Sequence, residues 1–418
     1  MIILTVIFVI VAGIIIFVYP FFGLLATLCL IPQDALFFRL GNTFLGLFTI
    51  MTPVKIIGGV TFFSAFLHHI FLRKSWHFLR LKTFRYFTLF VMFLFISGFV
   101  FPNSFTRTYF TMFASFTMLG FSILSLVNSS SRFRKIIMAT LISVFFASLN
   151  SIIIYATAGK TEIRMMGKSY GPNEFAIMLL PFLGIAYYFC LGEKNKVMKN
   201  LFIAITASIL VALILSFSRG GLIGLFAMLI IVTLKAKNKL KAVVIMTLFV
   251  TILLCFLPGQ TWDRFQTMKA EGPDADPTGS VQRRISLARI GWSMFLDNPI
   301  FGVGVGNYYW QCRLYGPVIP GRPHNMYLEI LAEMGIIGFM LFLGIISHTF
   351  AILRTVNKKC PHLSRYARGI MLGLGGFLVS AIFLHAYHEK ALWFIVFMSA
   401  ALGIIAKKEY PEKKIRLL

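Results

Sequence analysis

About a dozen apolar runs follow one another through this chain, and no soluble core has a place for so many. They fall at about 2–19, 55–72, 86–101, 108–127, 136–157, 172–192, 200–217, 221–235, 242–257, 326–353, 369–386 and 391–406. Runs of about 17–25 apolar residues match the hydrocarbon thickness of a bilayer when coiled as helices. They lack the period-2 alternation of a membrane β-barrel. Only 13% of the 418 residues are charged, about half the share in a soluble domain, and the mean hydropathy is +0.84. The expected fold is therefore an all-α integral membrane protein with about 12 transmembrane helices. The stretch 20–54 breaks the pattern, with Pro32, Gln33, Asp34 and Arg39 among short apolar pieces. It reads as a re-entrant or interfacial pair of helices, or as two further spans. Met1–Tyr19 has no basic leader and no small-residue cleavage site, so it is expected to stay as a first helix.

The net charge of +26 raises nucleic acid as a partner, and the positions of the charges argue against it. Of 40 Lys and Arg, 25 sit in six clusters between or after apolar runs. The clusters are 73–85, 132–135, 194–199, 235–241, 354–368 and 407–416. This is the positive-inside pattern, which places the clusters and both termini in the cytoplasm. The opposite side then carries four short connections, 101–107, 159–171, 217–221 and 385–390, and one long one, 258–323. The chain divides accordingly into helices over 1–257, a large loop over 258–325, and helices with a basic tail over 326–418. A loop of that length in so compact a membrane protein is expected to carry function. Five cysteines show neither a CxxC pair nor a Cys/His metal spacing, so neither a disulfide framework nor a metal site is expected.

Several residues on the loop side are suited to chemistry. Arg219, in Ser218-Arg219-Gly220-Gly221, stands where a helix begins. A guanidinium beside a helix N-terminus suits a phosphate or diphosphate, while an arginine snorkelling to headgroups is an equal reading. Residues 278–292 read as an amphipathic helix with Ser280 as N-cap and Arg283, Arg284 and Arg289 along it. Gly302, Gly304 and Gly306 form a Gly-x-Gly-x-Gly run without the strand–turn–helix setting of a nucleotide site. His324 and Asn325 stand where the loop re-enters an apolar helix. The imidazole fits a general base; the plainer reading is a helix cap. Glu329 and Glu333 follow in that helix, Glu333 either pairing with an arginine or orienting the helix. His385 and His388 flank the last short turn with Glu389 and Lys390, and His68 and His69 lie near the other face.

Three of these segments together resemble the O-antigen ligase family, which also covers related O-antigen and exopolysaccharide polymerases. They are the Ser-Arg-Gly-Gly turn at 218–221, the loop segment from Gly279 to Tyr309, and His324-Asn325-Met326-Tyr327 with the helix that follows. The resemblance covers roughly 200–350. It implies a glycosyltransferase of the bacterial inner membrane, with its site and large loop facing the periplasm. The reaction expected is a ligase's, moving the glycan from undecaprenyl diphosphate to a sugar hydroxyl of lipid A–core; the alternative is a polymerase, moving it to another lipid-linked glycan. Matched to the family pattern, Arg219 and Arg284 meet the diphosphate and His324 acts as base or orients the acceptor. Arg283 is the alternative to Arg284, and Glu389 stands at the acidic position of the last turn. Arg289, Arg322, Asn325, Tyr327, Glu333 and His388 are expected around the substrate, with no metal and no cofactor. A transporter or flippase of lipid-linked sugars is the reading from another class. It would carry charge along a central path, whereas the basic residues outside the six clusters gather at one face.

Overall fold

In the computed structural model, the structure describes residues 11, 13–33, 53–72, 76–157, 171–255, 280–316 and 320–413. Most of the expected first span, residues 34–52 and the start of the long loop lie outside them. Among the described residues every regular element is helical. The helices are α1 (Pro20–Leu30), α2 (Pro53–Phe71), α3 (Lys82–Val100), α4 (Thr106–Leu126), α5 (Ser130–Thr157), α6 (Pro172–Gly192) and α7 (Lys196–Leu215). They continue as α8 (Arg219–Lys235), α9 (Lys239–Cys255), α10 (Ser280–Asp297), α11 (Tyr308–Gln311), α12 (Met326–Lys359), α13 (Ser364–Ser380) and α14 (Lys390–Glu409). Nine of these are long and apolar enough to cross a membrane. Helices α8 and α9, at 17 residues each, stand at the lower length limit of a span. Helix α1 has 11 residues, about 16 Å at 1.5 Å per residue. It is too short to cross, yet Leu24 and Leu28 are buried against α2 and α5.

Two close approaches set the packing. Helix α6 lies so near α13 that a Cβ on Gly184 would stand 2.4 Å from the Gly373 nitrogen, and one on Gly373 2.5 Å from the Pro181 Cα. In lipid, where apolar surface alone gives little association, such small-residue contacts let backbones meet. Helix α14 runs through the middle of the bundle, with Trp393 fully buried among Phe87, Phe90, Phe113 and Phe116.

The chain crosses back and forth, so its connections gather at two ends. One end is basic: Arg134 and Arg365 approach Glu193 at 3.8 Å each, and Ser130 donates to Glu409 at 2.6 Å. The other end collects the starts of α4, α6, α8, α12 and α14, the end of α13, and the described part of the long loop.

Helix α10 anchors that loop. Leu287, Ile290 and Met294 bury one face against Val303, Tyr308, Cys312 and Ala332, and the Tyr308 hydroxyl donates to the Leu287 carbonyl. The helix reaches Asp297, five residues past the expected segment. The glycine run that follows is a backbone clasp. Helix α12 breaks at Gly335 (φ 60°, ψ −164°), exposing backbone groups that the loop satisfies. Val303 N donates to Ala332 O at 2.9 Å, Gly304 N to Glu333 O at 3.0 Å, and Ile336 N to Pro299 O at 2.8 Å. Gly302 and Gly335 have no room for a Cβ, which would lie 2.4 Å from Glu333 C and 2.3 Å from Ile300 O respectively. Their positive φ is also glycine's territory. The clasp is then pinned to the α3–α4 turn: Asn103 Nδ2 donates to Val305 O at 2.8 Å, and Asn307 Nδ2 to Phe101 O at 3.0 Å.

Candidate functional site

Two residues other than glycine have positive φ among the described residues, Phe217 (φ 48°) and His324 (φ 49°). Each immediately precedes an N-cap. Ser218 caps α8, its Oγ accepting from Gly221 N at 3.2 Å. Asn325 caps α12, its Oδ1 accepting from Tyr327 N at 3.0 Å and Leu328 N at 3.1 Å. The cap that the Pro-His-Asn segment leads one to expect thus belongs to Asn325, which frees the His324 ring for another task. Holding a non-glycine residue in the left-handed region costs about 1–3 kcal/mol, and such strain collects at functional sites.

The His324 ring lies 5.8 Å from that of His385, which lies 5.2 Å from that of His388. The Nδ1 atoms of all three are closed off from solvent and have no hydrogen-bond partner. Burial holds His324 down at about 4, reinforced by the positive charges of Arg284, Arg283 and Arg322. Burial and Arg322 put His388 at about 3, and His385 is likewise well below the usual imidazole range through burial, His388 and Arg322. Their surroundings hold all three rings in the neutral form, which carries one nitrogen that can accept a hydrogen bond.

Arg322 is the charge they share. Its Nη1 lies 3.7 Å from Glu329 Oε1, and its guanidinium lies over the rings of Phe105 and Tyr109 at 5.9 and 5.8 Å. Glu329 is fully buried and neither carboxylate oxygen receives a hydrogen bond. Glu333, the acid expected either to pair with an arginine or to orient its helix, is bound by other groups. Tyr387 donates to its Oε2 at 2.8 Å and Tyr308 N to its Oε1 at 3.3 Å. It ties the loop and the last turn to α12, and the carboxylate beside an arginine is Glu329.

The turn of Arg219 joins this cluster through the end of α13. A Cβ on Gly220 would touch Phe383 and Leu384 at 3.3 and 3.4 Å, and one on Gly221 would meet Ala176 of α6 at 2.6 Å. Leu384 precedes His385, whose Nε2 lies 3.9 Å from Glu174 Oε1 in the first turn of α6. Glu389 is buried, and burial together with Glu174 pushes its carboxyl up to about 8. The structure therefore brings Arg219's turn, Arg322, His324 and His388 to one end of the bundle, with Arg284 and Arg283 close enough to act on His324. Arg283 is exposed and donates to Pro320 O at 2.8 Å; Arg284 is half-buried and Arg289 exposed. Tyr327 uses its hydroxyl as a strut, donating to Leu378 O at 2.7 Å. Glu174 and Tyr387 were not singled out for the site by their sequence, whereas Glu329 and His385 stood among the loop-side residues suited to chemistry. A buried acid in an apolar helix was the signal available for Glu329.

Residues 202–343 match the family model described as O-antigen ligase. This match spans α8, α10, the glycine clasp, His324 and the first half of α12. The teichuronic acid biosynthesis protein TuaE of Bacillus subtilis (strain 168) is 25% identical over 266 residues, 59% of this chain and 54% of the relative. The chain thus spans about half the length of the curated relative it matches. Over residues 202–343, about a third of its length, the chain is similar to the O-antigen ligase family.

Proposed function

We propose that this protein is a membrane glycosyltransferase that moves a glycan from undecaprenyl diphosphate to a sugar hydroxyl, at the face opposite its basic clusters. The observation that carries the reading is His324. It is strained, kept neutral by burial and three arginines, and has a ring nitrogen without a partner. Positive charge that depresses an imidazole is also charge arranged to meet an anion. In the proposed reaction the acceptor oxygen attacks C1 of the donor sugar, and the C1–O bond to diphosphate breaks. His324 takes the hydroxyl proton. Arg219 and Arg284 meet the charge that grows on the departing diphosphate, as guanidiniums do with paired phosphate oxygens. Neutral His385 and His388, with Arg322 and Glu329, offer hydrogen bonds to sugar hydroxyls. A single displacement inverts the anomeric centre, and this scheme needs no metal.

The acceptor has two readings. A sugar of lipid A–core makes the protein a ligase, working from the inner membrane into the periplasm. A second lipid-linked glycan makes it a polymerase, and the relative named for teichuronic acid biosynthesis favours a role in building a polymer.

Purified protein in lipid, given undecaprenyl-diphosphate-linked glycan and each acceptor separately, tests both. Mass spectrometry should show glycan joined to one acceptor and released undecaprenyl diphosphate. Arg219→Ala, Arg284→Ala and His324→Ala should each lower the rate by about 10²–10⁴-fold. Full activity in all three variants, or product of unchanged anomeric configuration, overturns the scheme.

A further inference from the structure

A cavity of about 350 Å³ lies among α1, α2 and α4, with Lys390 at the start of α14 reaching its wall. That volume is in the range of ligand sites. Its wall looks polar by composition and is apolar by accounting. Thr27 donates to Gly23 O at 2.8 Å, Thr61 to Ile57 O at 2.7 Å, Ser115 to Thr111 O at 2.7 Å and Ser122 to Met118 O at 2.9 Å. Each of these hydroxyls gives its proton to its own helix, so the wall offers few donors to a sugar. Gly59 opens the cavity further, since a Cβ there would meet nothing within 4 Å. Two cations, Lys55 and Lys390, line it, and no carboxylate does among the described residues.

An apolar chamber set among membrane helices, with two lysines and no carboxylate among its described lining residues, fits a chain with an anionic head. We propose that it holds an acyl chain of an anionic phospholipid whose phosphate meets Lys55 and Lys390. The helices that line this chamber differ from those around Arg219. Arg219 opens α8, which packs on α6, α7, α9 and α13, whereas the chamber belongs to α1, α2 and α4 on the far side of α14. Lys390 directly follows His388 and Glu389, so a lipid seated there braces the turn that carries His385 and His388.

Native mass spectrometry of delipidated protein in detergent tests this binding without assuming any activity. Three probes are added separately: phosphatidylglycerol, zwitterionic phosphatidylethanolamine and undecaprenyl phosphate. Phosphatidylglycerol is expected to bind tightly at one site, with Lys55→Gln weakening it about five-fold and Gly59→Leu removing it. Gly59→Leu points into open space on a helix, so its thermal midpoint should match wild type; if it does not fold, Gly59→Ala and Lys55→Gln decide. Equal binding of phosphatidylethanolamine overturns the anionic head. Preference for undecaprenyl phosphate overturns the occupant. Unchanged phosphatidylglycerol binding in both Lys55→Gln and Gly59→Leu overturns the site.

Discussion

His324 combines two properties that separate in a variant. Asparagine tolerates positive φ better than most residues but has no basic ring nitrogen. His324→Asn should therefore keep or slightly raise the thermal midpoint while lowering transfer by about 10²–10⁴-fold, measured on the same preparation. A fall in both would make His324 a structural residue. The imidazole also sets a pH dependence. Its folded value is about 4, below the unfolded value of about 6.5. The unfolded chain binds more protons in that window, so stability is full above about pH 6.5 and is lost as pH falls towards 4. Thermal unfolding between pH 7.5 and 4.5 should show this decline, and it should shrink in His324→Asn. If His324 is the base, the transfer rate should show no imidazole limb between pH 6 and 7, because the ring is already neutral there.

At the scale of elements, the glycine clasp positions His324. The break at Gly335 leaves the first turns of α12 held by backbone bonds to Val303 and Gly304 and by the two bonds to Glu333. A methyl at Gly335 meets the Ile300 carbonyl, a rigid obstacle. Gly335→Ala should cost about 2–4 kcal/mol from strain and overlap together. Tyr387→Phe leaves one buried oxygen of Glu333 without its donor, which costs about 1–3 kcal/mol. Denaturation of the detergent-solubilised variants measures both; a neutral Gly335→Ala would mean that the clasp does not set the geometry. The Gly-x-Gly-x-Gly spacing reads like a phosphate loop in isolation. Its use here, pairing with a broken helix about thirty residues later, is invisible to any local pattern.

For the whole molecule, the α6–α13 contact is the most exacting. Gly373→Ala sets a methyl 2.5 Å from the Pro181 backbone, where no side chain can yield. It should lower the midpoint clearly, whereas Gly59→Ala should not move it. Equal midpoints would show that the two helices stand further apart. The helical membrane architecture was legible from the sequence because it depends on apolar length and on the placement of lysine and arginine, which are properties of consecutive residues. So were the Ser-Arg-Gly-Gly helix start and the amphipathic α10. What the tertiary structure alone decided is which polar groups meet. Arg322 faces Glu329 while Glu333 is taken by Tyr387 and Tyr308; His385 and His388 close on His324 from a turn some sixty residues on; and Asn325, not His324, caps α12. Those outcomes rest on a positive φ and on contacts between distant segments, and neither leaves a periodic trace in the chain.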